Sequence, residues 1–180
     1  MKRIAIGTLL VFGLLLLSGF LNLRQEETPN IAVDNSEVGG ETAVVTSIID
    51  GDTIRVTASG GDKETVRLIG VDTPEIYWEE MISDCYGFEA REFLVEVLKD
   101  KTVRLVGDES QPTYDKYDRL LSYVYLLDGK DHEMINLVLL RGGYARELTV
   151  GNSYEHRQDF LKSEAFAREN DIGQWSECES

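Results

Sequence analysis

From Ala43 onward, apolar and polar residues fall into short runs that change period along the chain. Ala43–Ile49 reads as a strand by its composition and Thr53–Thr57 as a strand that alternates, and Asp50-Gly51 between them is a tight-turn signal. Ser59-Gly60-Gly61-Asp62 predicts a second turn, and Glu64–Val71 a third strand. Leu68, Ile69 and Val71 put apolar groups on both parities, so this strand is expected to be covered on both faces. Ile76–Cys85 reads as a loop. In Tyr86–Lys99 the period becomes helical, with Ala90, Phe93, Leu94, Val97 and Leu98 on one stripe. Thr102–Val106 predicts a fourth strand, Gly107–Asp118 a polar loop, and Arg119–Leu127 a fifth strand closed by Asp128-Gly129. Met134–Arg141 predicts a short helix stopped by Gly142-Gly143. A last helix is expected over Tyr154–Asn170, capped by Asn152 or Ser153, with Trp175 docking the tail. Three strands, a helix, two strands and two helices predict an α+β fold, a five-stranded OB-type Greek-key β-barrel with three helices. Barrel closure rests on the strand count, because periodicity does not reveal it.

Residues 1–23 read as a signal peptide or an N-terminal membrane anchor. Lys2 and Arg3 precede an unbroken apolar run, Ile4–Leu17, and no A-x-A cleavage site follows. Counting Phe20, Leu21 and Leu23, residues 4–23 approach the ~20 needed to span a bilayer. The basic flank places the N-terminus in the cytoplasm and the remainder outside, so the protein is expected to be exported: secreted, or held at the outer face of the cytoplasmic membrane. Residues 24–41 are acidic and carry Pro29 and Gly39-Gly40, as a flexible tether does. Residues 42–180 form the folded domain, expected to be a monomer.

The net charge of −15 changes the picture for ligands. A chain this acidic has no general attraction for polyanions, so a phosphate-bearing ligand needs a local basic cluster or a bound cation. The two Cys are far apart and neither they nor the two His have zinc spacing. Three charged clusters sit at strand ends: Asp50-Gly51-Asp52, Arg67 with Asp72-Thr73-Pro74-Glu75, and Asp115-Lys116-Tyr117-Asp118-Arg119. Each alone has a plain structural reading as a turn, an ion pair or a solvated loop. If they converge at one barrel rim, two Asp carboxylates and a main-chain carbonyl make a hard oxygen site suited to Ca²⁺. Pro74 biases Thr73 to an extended conformation that turns its carbonyl out of the ladder. An EF-hand is excluded, since the fifth position from Asp50 is Ile54. Arg67 and Arg119 would offer planar forks to phosphate oxygens, and Glu75 would address water: a phosphodiesterase layout.

IIDGDTIRV, VRLIGVDTPE, CYGFEA, DKYDRLLSYVYL and the ending KSEAFARENDIGQWSE, in this order, resemble the staphylococcal nuclease (thermonuclease) family over about Val44–Glu177. Carried over motif by motif, the resemblance implies Ca²⁺ held by the side chains of Asp52 and Asp72 and the Thr73 carbonyl. Asp50 lies behind them. Arg67, Glu75 and Arg119 are the implied catalytic residues, and Lys116 and Tyr117 match positions that contact a nucleotide phosphate. The implied reaction is Ca²⁺-dependent cleavage of DNA and RNA to 5′-hydroxyl and 3′-phosphate ends. Three departures qualify it. The loop after the TPE motif is lysine-rich in the family's archetype but here carries Glu79, Glu80 and Asp84. Tyr77 and Trp78 in it either stack on bases or cover the barrel. Asp118 replaces a usual glycine, and either pairs with Arg119 or faces solvent. The stretch after Gly143 lacks the archetype's tyrosine pair, with Tyr144 or Tyr154 as possible substitutes.

The archetype has no counterpart of Cys85 and Cys178. An exported domain with two Cys favours a disulfide between them, tying the tail to the start of the first helix. The acidic loop and Asp118 keep a second function open: a nuclease-like barrel, weak or inactive, that binds nucleic acid or a protein partner.

Overall fold

The computed structural model describes residues 40–127 and 132–178. The expected signal or anchor and nearly all of the tether lie outside the described residues, as does Asp128-Gly129. In chain order the elements are β1 Glu41–Ile48, β2 Thr53–Ala58, β3 Lys63–Leu68, β4 Val71–Asp72, β5 Ile76–Tyr77, β6 Ile82–Ser83, α1 Gly87–Leu98, β7 Thr102–Val106, β8 Leu120–Leu126, β9 Glu133–Met134, α2 Ile135–Arg141, β10 Arg146–Glu147, α3 Arg157–Glu169 and α4 Gln174–Glu177.

β1, β2 and β3 form an antiparallel meander, β1 pairs on its other edge with β7, and β7 pairs with β8. The parallel pairing of β3 with β8 closes the five-stranded barrel. A register irregularity between Val45 and Ser47 bends β1, as a bulge does, where it passes from one neighbour to the other. The alternation seen in the sequence is the inward face: Val45, Ile54, Val56, Val66, Leu68, Val103 and Val124 are fully buried. Leu94 and Leu98 of α1, Leu139 and Leu140 of α2 and Phe160 of α3 extend this core. Buried Asn136 on α2 accepts the Val124 amide (2.9 Å) and donates to the Ile69 carbonyl (2.9 Å), pinning the turn that follows Arg67.

Several boundaries differ from the sequence expectation. The third strand ends at Leu68 rather than Val71, because the Ile69 carbonyl is taken by the Asn136 side chain and the chain turns at Gly70, whose φ is 74°. Val71–Asp72 then pairs separately with Arg146–Glu147. The Ile76–Cys85 loop contains a small hairpin, β5 with β6. The cap of α3 is His156, without a side-chain cap bond, instead of Asn152 or Ser153. A fourth helix, one turn long, follows the three expected. Trp175 does dock the tail, its ring lying 4.9 Å from the Arg146 guanidinium and 4.5 Å from that of Arg168. The structure joins Cys85 to Cys178 as a disulfide.

Candidate phosphate and metal site

The barrel register brings the three charged clusters to one end. Thr53 of β2 faces Arg67 of β3, and Arg67 faces Leu121 of β8, two residues beyond Arg119. Asp52 follows the β1–β2 turn. Gly51 in that turn lies against Thr73, where a Cβ would come within 2.7 Å of the Thr73 side chain. The Asp52 carboxylate is buried and accepts from the Thr53 hydroxyl (2.8 Å) and the Thr73 amide (3.2 Å). Asp50 accepts the Asp52 amide at 3.1 Å, directly behind the site. Arg67 Nη2 stands between Asp52 (3.0 Å) and Asp72 (3.3 Å), and Nη1 donates to the Leu68 and Val71 carbonyls at 2.8 and 2.7 Å.

Arg119 is held differently. Its Nε and Nη2 both donate to Asp115 at 2.7 Å, Nη1 reaches the Thr53 hydroxyl at 3.5 Å, and the Tyr117 ring lies 5.3 Å from its guanidinium carbon. Thr53 therefore links Arg119 to Asp52, and through it to Arg67. Asp115 also caps the loop by accepting the Tyr117 and Arg119 amides (2.9 and 3.0 Å). Although burial works against it, these bonds hold the Asp115 carboxyl below its usual range. Asp118 is exposed, at φ 61°, and the carboxylate paired with Arg119 is Asp115; of the two expectations for Asp118, facing solvent is the one observed.

A cleft of about 500 Å³ is lined by Arg67, Arg119, Lys116, Tyr117, Tyr154 and, on its apolar wall, Leu148 and Val150. Two guanidinia and an ammonium over an apolar wall suit a phosphate that carries a flat organic group. Tyr154 does line this cleft, but it is buried and its hydroxyl donates to Glu147 (3.0 Å). Tyr144 is elsewhere, stacked on Phe93 at 4.4 Å. Glu75 is exposed, and its carboxylate takes no hydrogen bond among the described residues. Trp78 leans on α1, edge-on to Phe88 with the Arg91 guanidinium 5.1 Å from its ring, so it partly covers the fold.

The electrostatics test whether a cation fits. Burial, then the charge of Asp52, pushes the Asp50 carboxyl up to about 6. Burial raises Asp72 despite Arg67, and partial desolvation together with Asp52 and Asp72 raises Glu75. Among the described residues no three His, Cys, Asp or Glu side chains could cage an ion by themselves. Two carboxylates bridged by one guanidinium nitrogen, with buried Thr73 next to Asp72 in the chain and its amide on Asp52, nonetheless form an anionic oxygen set that fits a hard divalent cation.

A pH dependence follows. A carboxyl whose folded pKa is raised favours the folded state fully below its unfolded value, and that contribution is lost as pH rises through the folded value. Metal-free protein should therefore lose stability on this group's account as pH rises from the ordinary value of 3.8 to the Asp50 value of about 6, and level off above it. Melting curves across that range in chelator check it; Asp50→Asn should flatten the profile.

Sequence reasoning missed Asp115 and Thr53 as the supports of Arg119. The spacing of Asp115 and Arg119, four residues apart across a turn, was the available signal for the first. It also missed Arg146, which faces Asp72 across the β4–β10 pair.

Comparison with known proteins agrees with the resemblance in the motifs. The family described as "Staphylococcal nuclease homologue" matches residues 65–177. A thermonuclease of Staphylococcus hyicus is 31% identical over 176 residues, 98% of this chain and 99% of that protein. A thermonuclease of Staphylococcus intermedius is 36% identical over 141 residues, covering 78% and 80% of the two chains. An uncharacterized protein of Methanocaldococcus jannaschii is 34% identical over 148 residues, covering 73% and 70%.

Proposed function

The chain belongs to the staphylococcal nuclease family, and from that premise we propose that it is an exported, Ca²⁺-dependent nuclease hydrolysing phosphodiester bonds of DNA and RNA to 5′-hydroxyl and 3′-phosphate products. The observation that carries this reading is the shared end of the barrel: two arginines on one cleft roomy enough for a nucleotide, with crowded carboxylates beside them.

In this reading the scissile phosphate enters the cleft and is gripped by Arg119, whose orientation Asp115 has already fixed. Preorganised donors of this kind stabilise the added negative charge without reorganising during the reaction. Lys116 and Tyr117 contact an adjacent phosphate at the mouth of the cleft. Glu75 orients the attacking water and accepts its proton. Water oxygen bonds to phosphorus, the bond to the 5′ oxygen breaks, that oxygen takes a proton from solvent to become the 5′-hydroxyl, and the other strand is left with a 3′-phosphate. Asp52, Asp72 and the Thr73 carbonyl would hold Ca²⁺. Bound there, it would supply positive charge that polarises the phosphoryl oxygen and offsets the two carboxylates, with Arg67 beside it to meet the phosphate.

Export rests on the apolar run of residues 4–23, which would anchor the protein to the outer membrane face if it is retained. Among the described residues no helix is long and apolar enough to cross a membrane. The second reading, a barrel that binds without cutting, draws on the exposed acids of the hairpin after Glu75. It predicts retention of DNA without fragments. Mass analysis of a defined oligonucleotide after digestion with Ca²⁺ decides: fragments with 3′-phosphates are expected, and intact substrate or 5′-phosphate ends would reject the proposal.

A further inference from the structure

The segment between Glu75 and α1 is held to the body by few side chains, chiefly Trp78 against Phe88 and Arg91 and Tyr86 against Tyr144. Ile76 is buried, but Tyr77, Trp78, Met81, Ile82 and Cys85 are exposed, and the two short strands pair with each other alone. Met81 and Tyr86 have φ of 55° and 74°, in a region that large side chains rarely adopt. Burial and local preference therefore fix this path only in part. Yet it touches the backbone of Glu75 directly. The Asp84 amide donates to the Glu75 carbonyl at 2.9 Å, and the Gly87 amide donates to the Asp84 carbonyl at 3.0 Å. Gly87 is pressed so close that a Cβ would come within 2.9 Å of the Pro74 carbonyl and 3.0 Å of the Glu75 carbonyl.

Cys85 stands between these contacts, bonded to Cys178. The other partner is firmly anchored. The Gln174 amide donates to the Gly143 carbonyl at 2.9 Å, and the buried Gln174 side chain accepts Arg146 Nε at 3.0 Å. Trp175 is clasped by Arg146 and Arg168. The tail is thus a post fixed to the body, and the disulfide ties the loose segment to it at the point nearest Glu75.

We propose that the Cys85–Cys178 bridge is a positioning device for Glu75, holding Asp84 and Gly87 against its backbone so that the carboxylate stays at the reacting phosphate. This rests on the nuclease reading. It differs from a purely stabilising role, under which the folded protein would turn over equally well with the bridge or without it. Small misplacements of a reacting group cost large factors in rate while leaving substrate binding nearly unchanged.

The test uses the full chain with Cys85→Ser and Cys178→Ser together, at a temperature where circular dichroism shows it folded. On denatured DNA with Ca²⁺, kcat is expected to fall about tenfold or more with KM within about twofold. Val103→Ala, a cavity in β7 remote from this segment, should lower the melting temperature and leave kcat unchanged. Gly87→Ala, with the bridge intact, should reproduce the kcat loss, and decides the matter if the double variant does not fold. Hydrogen exchange at the Asp84 and Gly87 amides, which needs no activity, should quicken in the double variant. Wild-type kcat in the folded double variant or in Gly87→Ala, or unchanged exchange at both amides, would overturn the proposal. Wild-type protein that does not cut refutes the nuclease reading instead, and the exchange measurement still reports on the bridge.

Discussion

Arg119→Ala is expected to lower kcat/KM on denatured DNA by about a thousandfold or more, with little loss of stability. The guanidinium lies in the cleft, with two nitrogens on one carboxylate at 2.7 Å and a third toward Thr53. Such a group is worth far more to a pentavalent phosphate, which gains negative charge, than to the resting fold. Asp115 keeps the Tyr117 and Arg119 amides after the substitution, so no buried carboxylate is orphaned. Arg119→Lys should recover only a small part of the activity, because an ammonium cannot keep Asp115 with one edge and phosphate with another. Asp115→Asn should fall between the two, because it releases the arginine without deleting it. A loss below tenfold in Arg119→Ala would mean that the residue is not at the chemistry.

Loss of the disulfide should cost about 4–5 kcal/mol of stability. The bridge spans 93 residues, more than half the chain, and chain-entropy estimates for a loop of that length give this amount. It is a large share of the roughly 5–15 kcal/mol that holds a typical domain folded. Native-state contacts bear on how much is realised. The tail keeps its clasp on Trp175 and Gln174 when the bridge is gone, so the folded state need not unravel from that end. Urea unfolding of Cys85→Ser/Cys178→Ser against the oxidised protein measures the difference directly. A change under about 1 kcal/mol would mean that the unfolded chain is already compact without the bond.

The strands were legible from their apolar composition, alternation and Asp-Gly and Gly-Gly turns, while closure of the barrel was inferred from their number. All five strand segments lie within a few residues of where alternation put them. What alternation could not foresee is set by contacts between distant segments. Val71 looked like a continuation of β3, but the Asn136 side chain takes the Ile69 carbonyl and the chain turns at Gly70. The α3 start moved because Asn152 and Ser153 turn their carbonyls to Gln111 and Ser110 instead of capping the helix.

The site was legible as a list of residue types at strand ends, while its internal order was not. Nothing in the sequence told that Arg67 would insert between Asp52 and Asp72, or that Asp115 rather than Asp118 would hold Arg119. Both follow from crowding: each guanidinium takes the nearest desolvated carboxylate. The disulfide was inferred from the number of cysteines and the expected export, whereas its contact with the Glu75 turn needed coordinates.

The central claim is that the carboxylates and arginines at this barrel end form one Ca²⁺-dependent cleavage site. The most direct measurement is the rate of denatured-DNA cleavage by the purified protein, first in chelator and then with Ca²⁺ restored, for wild type and Asp52→Asn side by side. The expected result is cleavage only with Ca²⁺ and little or none in the variant. Equal rates with and without Ca²⁺, or a variant as active as wild type, would contradict it.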